Sequence, residues 1–246
     1  VRRVSIVVPA YDEQDNLRPL RDAIKAAIDG KLDYEVIFVD DGSKDRTREV
    51  ARAIAAEDPR FRLVALAKNS GETAAGWAGM RDARGELVCV MDADLQNDPA
   101  DLPRMVALVG EWDVVCGWRK KRGDGDNLLR RLSSRIANAV RNALSSESIH
   151  DSGCTYRVFK RECVDGLQLY NGMHRFLPTL FKAQGFRVTE VEVANHPRQH
   201  GVSKYGVWNR VFRAFYDLLA VRWMLKRWIR LEVGERAGQG LSADRA

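Results

Sequence analysis

Residues 89–99 read CVMDADLQNDP. The apolar run leading in, Leu87-Val88-Cys89-Val90-Met91, stops at Asp92, and Asp94, Gln96 and Asp98 follow. Apolar runs of this length are usually buried strands. Carboxylates at close range repel one another, so a strand that leaves a core into such a cluster calls for positive charge beside it. The residues on either side determine what kind of sheet the strand belongs to.

Upstream and downstream the pattern alternates. Val4–Val8 predicts a strand, and Asn16–Ile28 a helix with Leu17, Leu20, Ile24, Ala27 and Ile28 near helical spacing. Tyr34–Val39, Arg62–Ala67, Glu86–Met91 and Asp113–Cys116 predict strands; Thr47–Ala56, Thr73–Ala83 and Leu102–Val109 predict helices. This rhythm with short loops predicts an α/β fold, a mostly parallel sheet flanked by helices. Ligands of such sheets bind beyond the carboxyl ends of the strands. Three acidic loops fall at those ends and are expected to converge: PAYDE (9–13), DDGSKD (40–45) and MDADLQ (91–96). The segment GETAAGWAG (71–79) lacks the G-K-[ST] ending of a phosphate loop, so its small residues read as permitting close helix–sheet packing.

The second half is less regular. Leu128–Leu144 reads as a helix with a basic start, Thr155–Phe159 and Arg187–Val193 as strands, and Phe176–Gln184 as a helical piece between them. NHPRQHGVSKYG (195–206) reads as a loop by its Pro and Gly content. Residues 207–231 are helical in character: Trp208, Val211, Phe212, Phe215, Leu218 and Leu219 share one face, with Arg210, Arg213 and Asp217 opposite. Arg222 and Lys226 intrude on that face, which predicts a break after Ala220. Aromatic residues on one side and basic residues on the other suit a helix lying in a membrane interface. The expected organisation is a catalytic domain over 1–206, an amphipathic helical segment over 207–233 and a disordered, Gly-rich polar tail over 234–246.

Forty Lys+Arg against 34 Asp+Glu give the 246-residue chain a net charge of +6, which favours acidic partners such as phosphorylated molecules or an anionic membrane. No nucleic-acid recognition motif accompanies that charge, so a nucleic-acid partner is not expected. Cys89, Cys116, Cys154 and Cys163 show no metal-site or CxxC spacing and read as free buried thiols. With no leader pattern and no stretch of about 20 apolar residues, the expected location is cytoplasmic.

Asp92 and Asp94, two positions apart at a strand end, can turn toward one point. Mg²⁺ and Mn²⁺ take oxygen ligands of this kind, often with substrate phosphates, and the Gln96 amide supplies a third oxygen. No His or Cys lies nearby, which argues against zinc. A solvated acidic turn is the plain alternative, since Asp is common in turns. His150, His174, His196 and His200 are dispersed, and none is assigned a catalytic role.

VVPAYDE (7–13), FVDDGSKD (38–45), NSGETAAGWAG (69–79) and MDADLQ (91–96) together resemble the nucleotide-sugar domain of family 2 glycosyltransferases, whose fold is called GT-A. GWRKKR (117–122), SSRIAN (133–138), DSGCTYRVFKRE (151–162) and PRQHGVSKYG (197–206) are similar to polyprenyl-phosphate glycosyltransferases of the dolichyl-phosphate mannose synthase type. The likeness runs from about Val4 to Gly206. It implies that Pro9, Tyr11, Glu13, Asp41 and the adjacent Asp40 hold the base and ribose of a nucleotide-sugar donor. It also implies that Asp92, Asp94 and Gln96 carry Mg²⁺ or Mn²⁺ against the donor diphosphate. Arg119, Arg135 and Lys204 would meet the phosphates of donor and acceptor. The implied activity is inverting transfer of a hexose-type sugar to polyprenyl phosphate, peripherally at the cytoplasmic membrane face. Many family members continue into transmembrane helices, so a membrane-protein partner or self-association is an expected aid to anchoring. A glycosyltransferase of glycan elongation and a noncatalytic nucleotide-sugar-binding module are the alternatives.

Overall fold

The structure, a computed structural model, describes residues 3–119, 150–151, 153–197 and 207–229, with the backbone alone over 207–215. The expected helix Leu128–Leu144, the GVSKYG loop, the tail 234–246 and the site residues Arg135 and Lys204 lie outside the described residues.

Seven strands form one sheet among the described residues: β1 (Val4–Ala10), β2 (Tyr34–Asp40), β3 (Phe61–Ala65), β4 (Leu87–Val90), β5 (Val114–Trp118), β6 (Arg157–Lys160) and β7 (Val188–Glu192). Their order is β3-β2-β1-β4-β6-β5-β7. β1 pairs in parallel with β2 and β4, and β2 with β3; β6 runs antiparallel between β4 and β5, and β7 is parallel to β5. The carboxyl ends of β2, β1 and β4 therefore lie side by side, which brings the three acidic loops to one edge.

Alternation along the strands divides the core in two. Ile6, Val8, Val36 and Phe38 face a cluster covered by α1 (Leu17–Ile28), α2 (Thr47–Glu57) and α4 (Leu102–Leu108). Val7, Ile37 and Val39 face a second cluster covered by α3 (Glu72–Asp82), α5 (Leu177–Gln184) and α6 (Val207–Lys226). Leu17, Leu20, Ile24 and Ile28 are all fully buried, as their spacing predicts, and each contributes roughly 1.5–3 kcal/mol relative to exposure. The small residues of α3 act as expected: a Cβ at Gly79 would collide with Val7 and Val39, so glycine there lets the helix lie on β1 and β2. The four cysteines are free and buried.

Two expectations are corrected. α6 is one continuous helix from Val207 to Lys226, with no break after Ala220. The apolar stripe drifts around the helix rather than ending: Leu218 and Val221 are buried, and Met224 and Leu225 pack on the second cluster, so Arg222 and Lys226 need not enter it. The strand expected from Thr155 begins at Arg157 instead, which leaves Thr155 in the loop before β6.

One ion cluster ties the amino-terminal sheet edge together. The Glu35 carboxylate on β2 accepts from Ser5 Oγ (2.7 Å), Arg62 Nη1 (2.8 Å) and the Arg84 N–H (2.8 Å). Burial pushes this carboxyl up, but the hydrogen bonds outweigh it and hold it below the ordinary range. A carboxyl lowered on folding stabilises above its unfolded pKa of about 4.3, and that contribution is lost as pH falls through the folded value. Glu35→Gln is therefore expected to lower Tm at pH 7, with the gap to wild type closing as the pH is brought down to acid. Equal gaps at pH 7 and in acid would contradict this.

Candidate active site

The first two acidic loops are sewn together by backbone-directed hydrogen bonds. The Asp12 N–H donates to Ser43 Oγ (3.0 Å), Glu13 N–H to Thr47 Oγ1 (2.7 Å), and Asp12 Oδ1 accepts from the Lys44 N–H (2.7 Å). Gln14 and Arg46 add a further pair with Asp45 (3.2 Å) and Gln14 (2.9 Å) as acceptors. Asp12 sits at φ +52° to make these contacts, a left-handed conformation that costs a non-glycine residue on the order of 1 kcal/mol or more. Gly42, at φ +68°, allows the backbone of Lys68 and Asn69 to pass where a side chain would stand.

Pro9, Tyr11 and Glu13 lie half-buried along this edge. The two adjacent aspartates at the end of β2 diverge. Asp41 accepts the N–H groups of Ser70 (2.7 Å) and Gly71 (2.9 Å), and so fixes the turn that starts α3. Asp40 accepts from the Ser43 N–H (3.0 Å) and pairs with Arg48 Nε (2.7 Å). Asp40, expected beside the donor ribose, is thus engaged in holding the β2–α2 loop.

At the end of β4 the third loop turns sharply, with Leu95 at φ +62°. Asp94 is buried, and its Oδ1 accepts the Gln96 N–H (3.1 Å). The Asp92 N–H donates to Asn97 Oδ1 (2.9 Å), and Asp92 Oδ2 accepts from Thr155 Oγ1 (2.6 Å). Burial, then the charges of Glu72 and Asp94, push the Asp92 carboxyl up to about 7, against the opposing hydrogen bond of Thr155 and the charge of Arg119. Ionising both aspartates at neutral pH is therefore costly unless a cation sits with them. Among the described residues no three His, Cys, Asp or Glu side chains close into a cation cage. The donor set on offer is oxygen only: two carboxylates and the Gln96 amide. It fits Mg²⁺ or Mn²⁺, which complete their shells with water and phosphate.

Segment 193–197 packs against this loop. Asn97 and Asn195 form an isolated antiparallel bridge, and the His196 N–H donates to the Gln96 carbonyl (3.0 Å). His196 Nε2 lies 3.0 Å from Asp98 Oδ2. Burial raises the Asp98 carboxyl, but His196 and the Ala100 N–H outweigh it and hold the group low. This His–Asp pair was not legible in the sequence, because 98 positions separate its members.

Arg119, just beyond β5, meets Asp151 in a two-pronged contact: Nε to Oδ2 at 2.8 Å and Nη2 to Oδ1 at 3.0 Å. Burial works against the guanidinium charge, but Asp151 outweighs it and keeps the group above its usual range. Arg119 also feels Asp92, so the structure brings it near the acidic pair. Of the expected site residues, Asp92, Asp94, Gln96 and Arg119 gather at the carboxyl edge of the sheet, beside the loops that carry Pro9, Tyr11, Glu13 and Asp41. Thr155, Asn97 and Asp151 were missed. Each is a plain polar residue in a loop, and only its spatial partner distinguishes it.

Comparisons with known proteins bear on the family and the fold. The pattern described as glycosyl transferase family 2 matches residues 5–167. A dodecaprenyl-phosphate galacturonate synthase of Rhizobium johnstonii is 39% identical over 229 residues, covering 91% of this chain and 67% of that protein. An undecaprenyl-phosphate 4-deoxy-4-formamido-L-arabinose transferase of Edwardsiella ictaluri is 37% identical over 224 residues, covering 89% of this chain and 67% of that protein. Among solved structures, a glucosyl-3-phosphoglycerate synthase of Mycobacterium tuberculosis, crystallised with Mn²⁺, UDP-glucose and phosphoglyceric acid, superposes with a TM-score of 0.69. It is 20% identical and covers 90% of this chain and 80% of that one, so the GT-A fold is shared. The match over residues 5–167, together with relatives of this identity along nine-tenths of the sequence, makes the chain a member of glycosyl transferase family 2.

Proposed function

We propose that this glycosyltransferase moves a sugar from a nucleotide-sugar donor to the phosphate of a polyprenyl phosphate, with a divalent cation, on the cytoplasmic face of a membrane. The observation that carries the reading is the Asp92–Asp94 pair, half-buried at Asp92 and buried at Asp94, whose like charges call for a cation at a strand end where such sheets bind ligands. The acceptor follows from the two relatives, both named for polyprenyl-phosphate substrates.

Asp92, Asp94 and Gln96 hold the cation in this reading. A bound Mg²⁺ or Mn²⁺ stabilises the charge that builds on the leaving diphosphate. Asp41 fixes the Ser70–Gly71 turn, and Pro9, Tyr11 and Glu13 line the nucleoside side. Asp40 acts through the loop it braces. Arg119, Arg135 and Lys204 bring the two anions within reaction distance. A phosphate monoester has its second pKa near ~6, so the acceptor is already a nucleophile at neutral pH. One of its oxygens forms the new bond to the anomeric carbon as the bond to the diphosphate breaks. A single displacement of this kind inverts the anomeric centre and moves no proton.

The membrane side of the reading draws on α6. Tyr216, Leu219 and Trp223 are exposed along one face, spaced three and four residues apart, and Arg227 lies over the Trp223 ring at 5.3 Å. Aromatic and aliphatic side chains flanked by basic ones suit the headgroup boundary. No helix among the described residues is long and apolar enough to cross a membrane. A membrane-protein partner or self-association supplements this contact in the proposal.

The test is a donor–acceptor matrix. Purified protein with Mn²⁺ or Mg²⁺ is given UDP- and GDP-sugars and either a short polyprenyl phosphate, in solution or in anionic vesicles, or free glycans. EDTA-sensitive formation of a lipid-phosphate sugar, faster in vesicles, is the expected result. Transfer to glycans alone would move the protein to chain elongation, and nucleotide binding without transfer would make it a binding module.

A further inference from the structure

Glu190 on β7 belongs to none of the three acidic loops, yet it grips the segment that holds Arg119. β7 pairs in parallel with β5, and Glu190 stands opposite Cys116 on the strand that leads into Arg119. Its Oε2 accepts the His150 N–H at 2.9 Å and lies 2.8 Å from His150 Nδ1. Its Oε1 accepts the Asp151 N–H at 3.2 Å. The His150 ring also stacks on Trp118, the last residue of β5, with ring centroids 4.6 Å apart. Residues 150–151 are thus tied to the sheet twice, by a carboxylate on β7 and by an indole on β5.

What that grip fixes is Asp151. Besides meeting Arg119 Nε and Nη2, Asp151 Oδ2 accepts the Arg119 N–H at 3.3 Å. The Asp151 carbonyl accepts the Cys154 N–H at 3.2 Å, and Thr155 follows, with its Oγ1 2.6 Å from Asp92 Oδ2. A Cβ at Gly153 would come 3.4 Å from Arg119 Nη2, so the guanidinium lies against this same short loop. The loop before β6 therefore touches Arg119 at one end and the acidic edge at the other. β4 and β5 both run antiparallel to β6, so the strand ends that precede Asp92 and Arg119 share one edge of the sheet. Asp151 can aim Arg119 only as well as its own backbone is held. An ionised carboxylate accepting backbone N–H groups holds it by strong, directional bonds. A misplacement of about 1 Å in a group that positions substrate can cost about a hundredfold in rate.

We propose that Glu190 is the positioning residue for Arg119: by holding the backbone of His150 and Asp151, it sets where the Asp151-bound guanidinium points. Its effect on transfer rests on the reading of Arg119 given above.

Two readouts on the full chain test it. The first is the Arg119 Nε–H, donated to Asp151, which should give a slowly exchanging signal in proton–nitrogen correlation spectra, identified by its loss in Arg119→Met. Glu190→Val suits a strand but accepts nothing, and it should shift or broaden that signal. Glu190→Gln keeps an oxygen for the backbone N–H groups and should leave the signal near its wild-type position. The second readout is turnover in the donor–acceptor assay. Glu190→Val should slow it by about tenfold, and Glu190→Gln by less. In the Arg119→Met background Glu190→Val should cost nothing further, because its effect runs through Arg119. Glu190→Ala is read in the same way should the valine variant fail to fold. A wild-type signal and rate in Glu190→Val would overturn the proposal. An equal loss of rate in both backgrounds would overturn it too, by leaving Glu190 a general stabiliser of the fold, and full turnover in Arg119→Met would do so by taking Arg119 out of the reaction. If wild type transfers sugar to no acceptor, the transfer reading fails, while the Glu190 assignment stands or falls on the Arg119 signal.

Discussion

Asp94→Asn is expected to slow sugar transfer by roughly a thousandfold or more, equivalent to about 4 kcal/mol of lost transition-state stabilisation, while leaving the fold intact. The substitution separates charge from structure. Asp94 Oδ1 accepts the Gln96 N–H that closes the turn after β4, and an asparagine carbonyl can still accept it. What disappears is half of the negative charge that attracts the cation. Asp94→Ala should lose the same activity and in addition about 1 kcal/mol of stability, because the Gln96 N–H is left without its acceptor. Initial rates at saturating donor and a thermal melt of both variants check this. Full activity in Asp94→Asn would remove the metal hypothesis, whatever the stability change.

The same turn shows how far the residues could be read without coordinates. β1 through β4 and α1 through α4 were legible because their apolar residues follow the helix or strand period closely, and each parallel strand is bounded by turn residues. The convergence of the three acidic loops followed from parallel pairing alone. What was not legible depends on distant partners. β6 runs antiparallel between β4 and β5, and nothing in RVFK indicates its direction or neighbours. That insertion carries Thr155 to Asp92 across 63 positions and Arg157 to the His174 carbonyl. Asp40 and Asp41 look equivalent as a dipeptide, yet the pleat sends one to Arg48 and the other to the head of α3. The expected break after Ala220 failed for a related reason. A helix surface that packs on a curved core can rotate its buried stripe, so a basic residue on the extrapolated face does not end the helix.

Asp151→Ala is expected to destabilise the protein by about 3 kcal/mol, several times the cost of breaking an exposed ion pair. Asp151 is buried at 3% exposure, and its two oxygens take Arg119 Nε and Nη2. Removing it leaves a largely buried guanidinium without its counter-charge, and a drop in Tm of roughly 6–12 °C should follow for a chain of this size. The cause can be isolated with a second change. Arg119→Met in the Asp151→Ala background takes away the stranded charge while keeping the aliphatic bulk, so the double variant should melt above Asp151→Ala alone. Turnover should behave differently. If Arg119 faces the substrate phosphates and Asp151 aims it, either single change slows transfer, and the double variant regains stability without regaining rate. Stability losses that simply add in the double variant would show that the pair is not coupled. A double variant that recovered both stability and turnover would leave Arg119 as a structural partner of Asp151 with no part in the reaction.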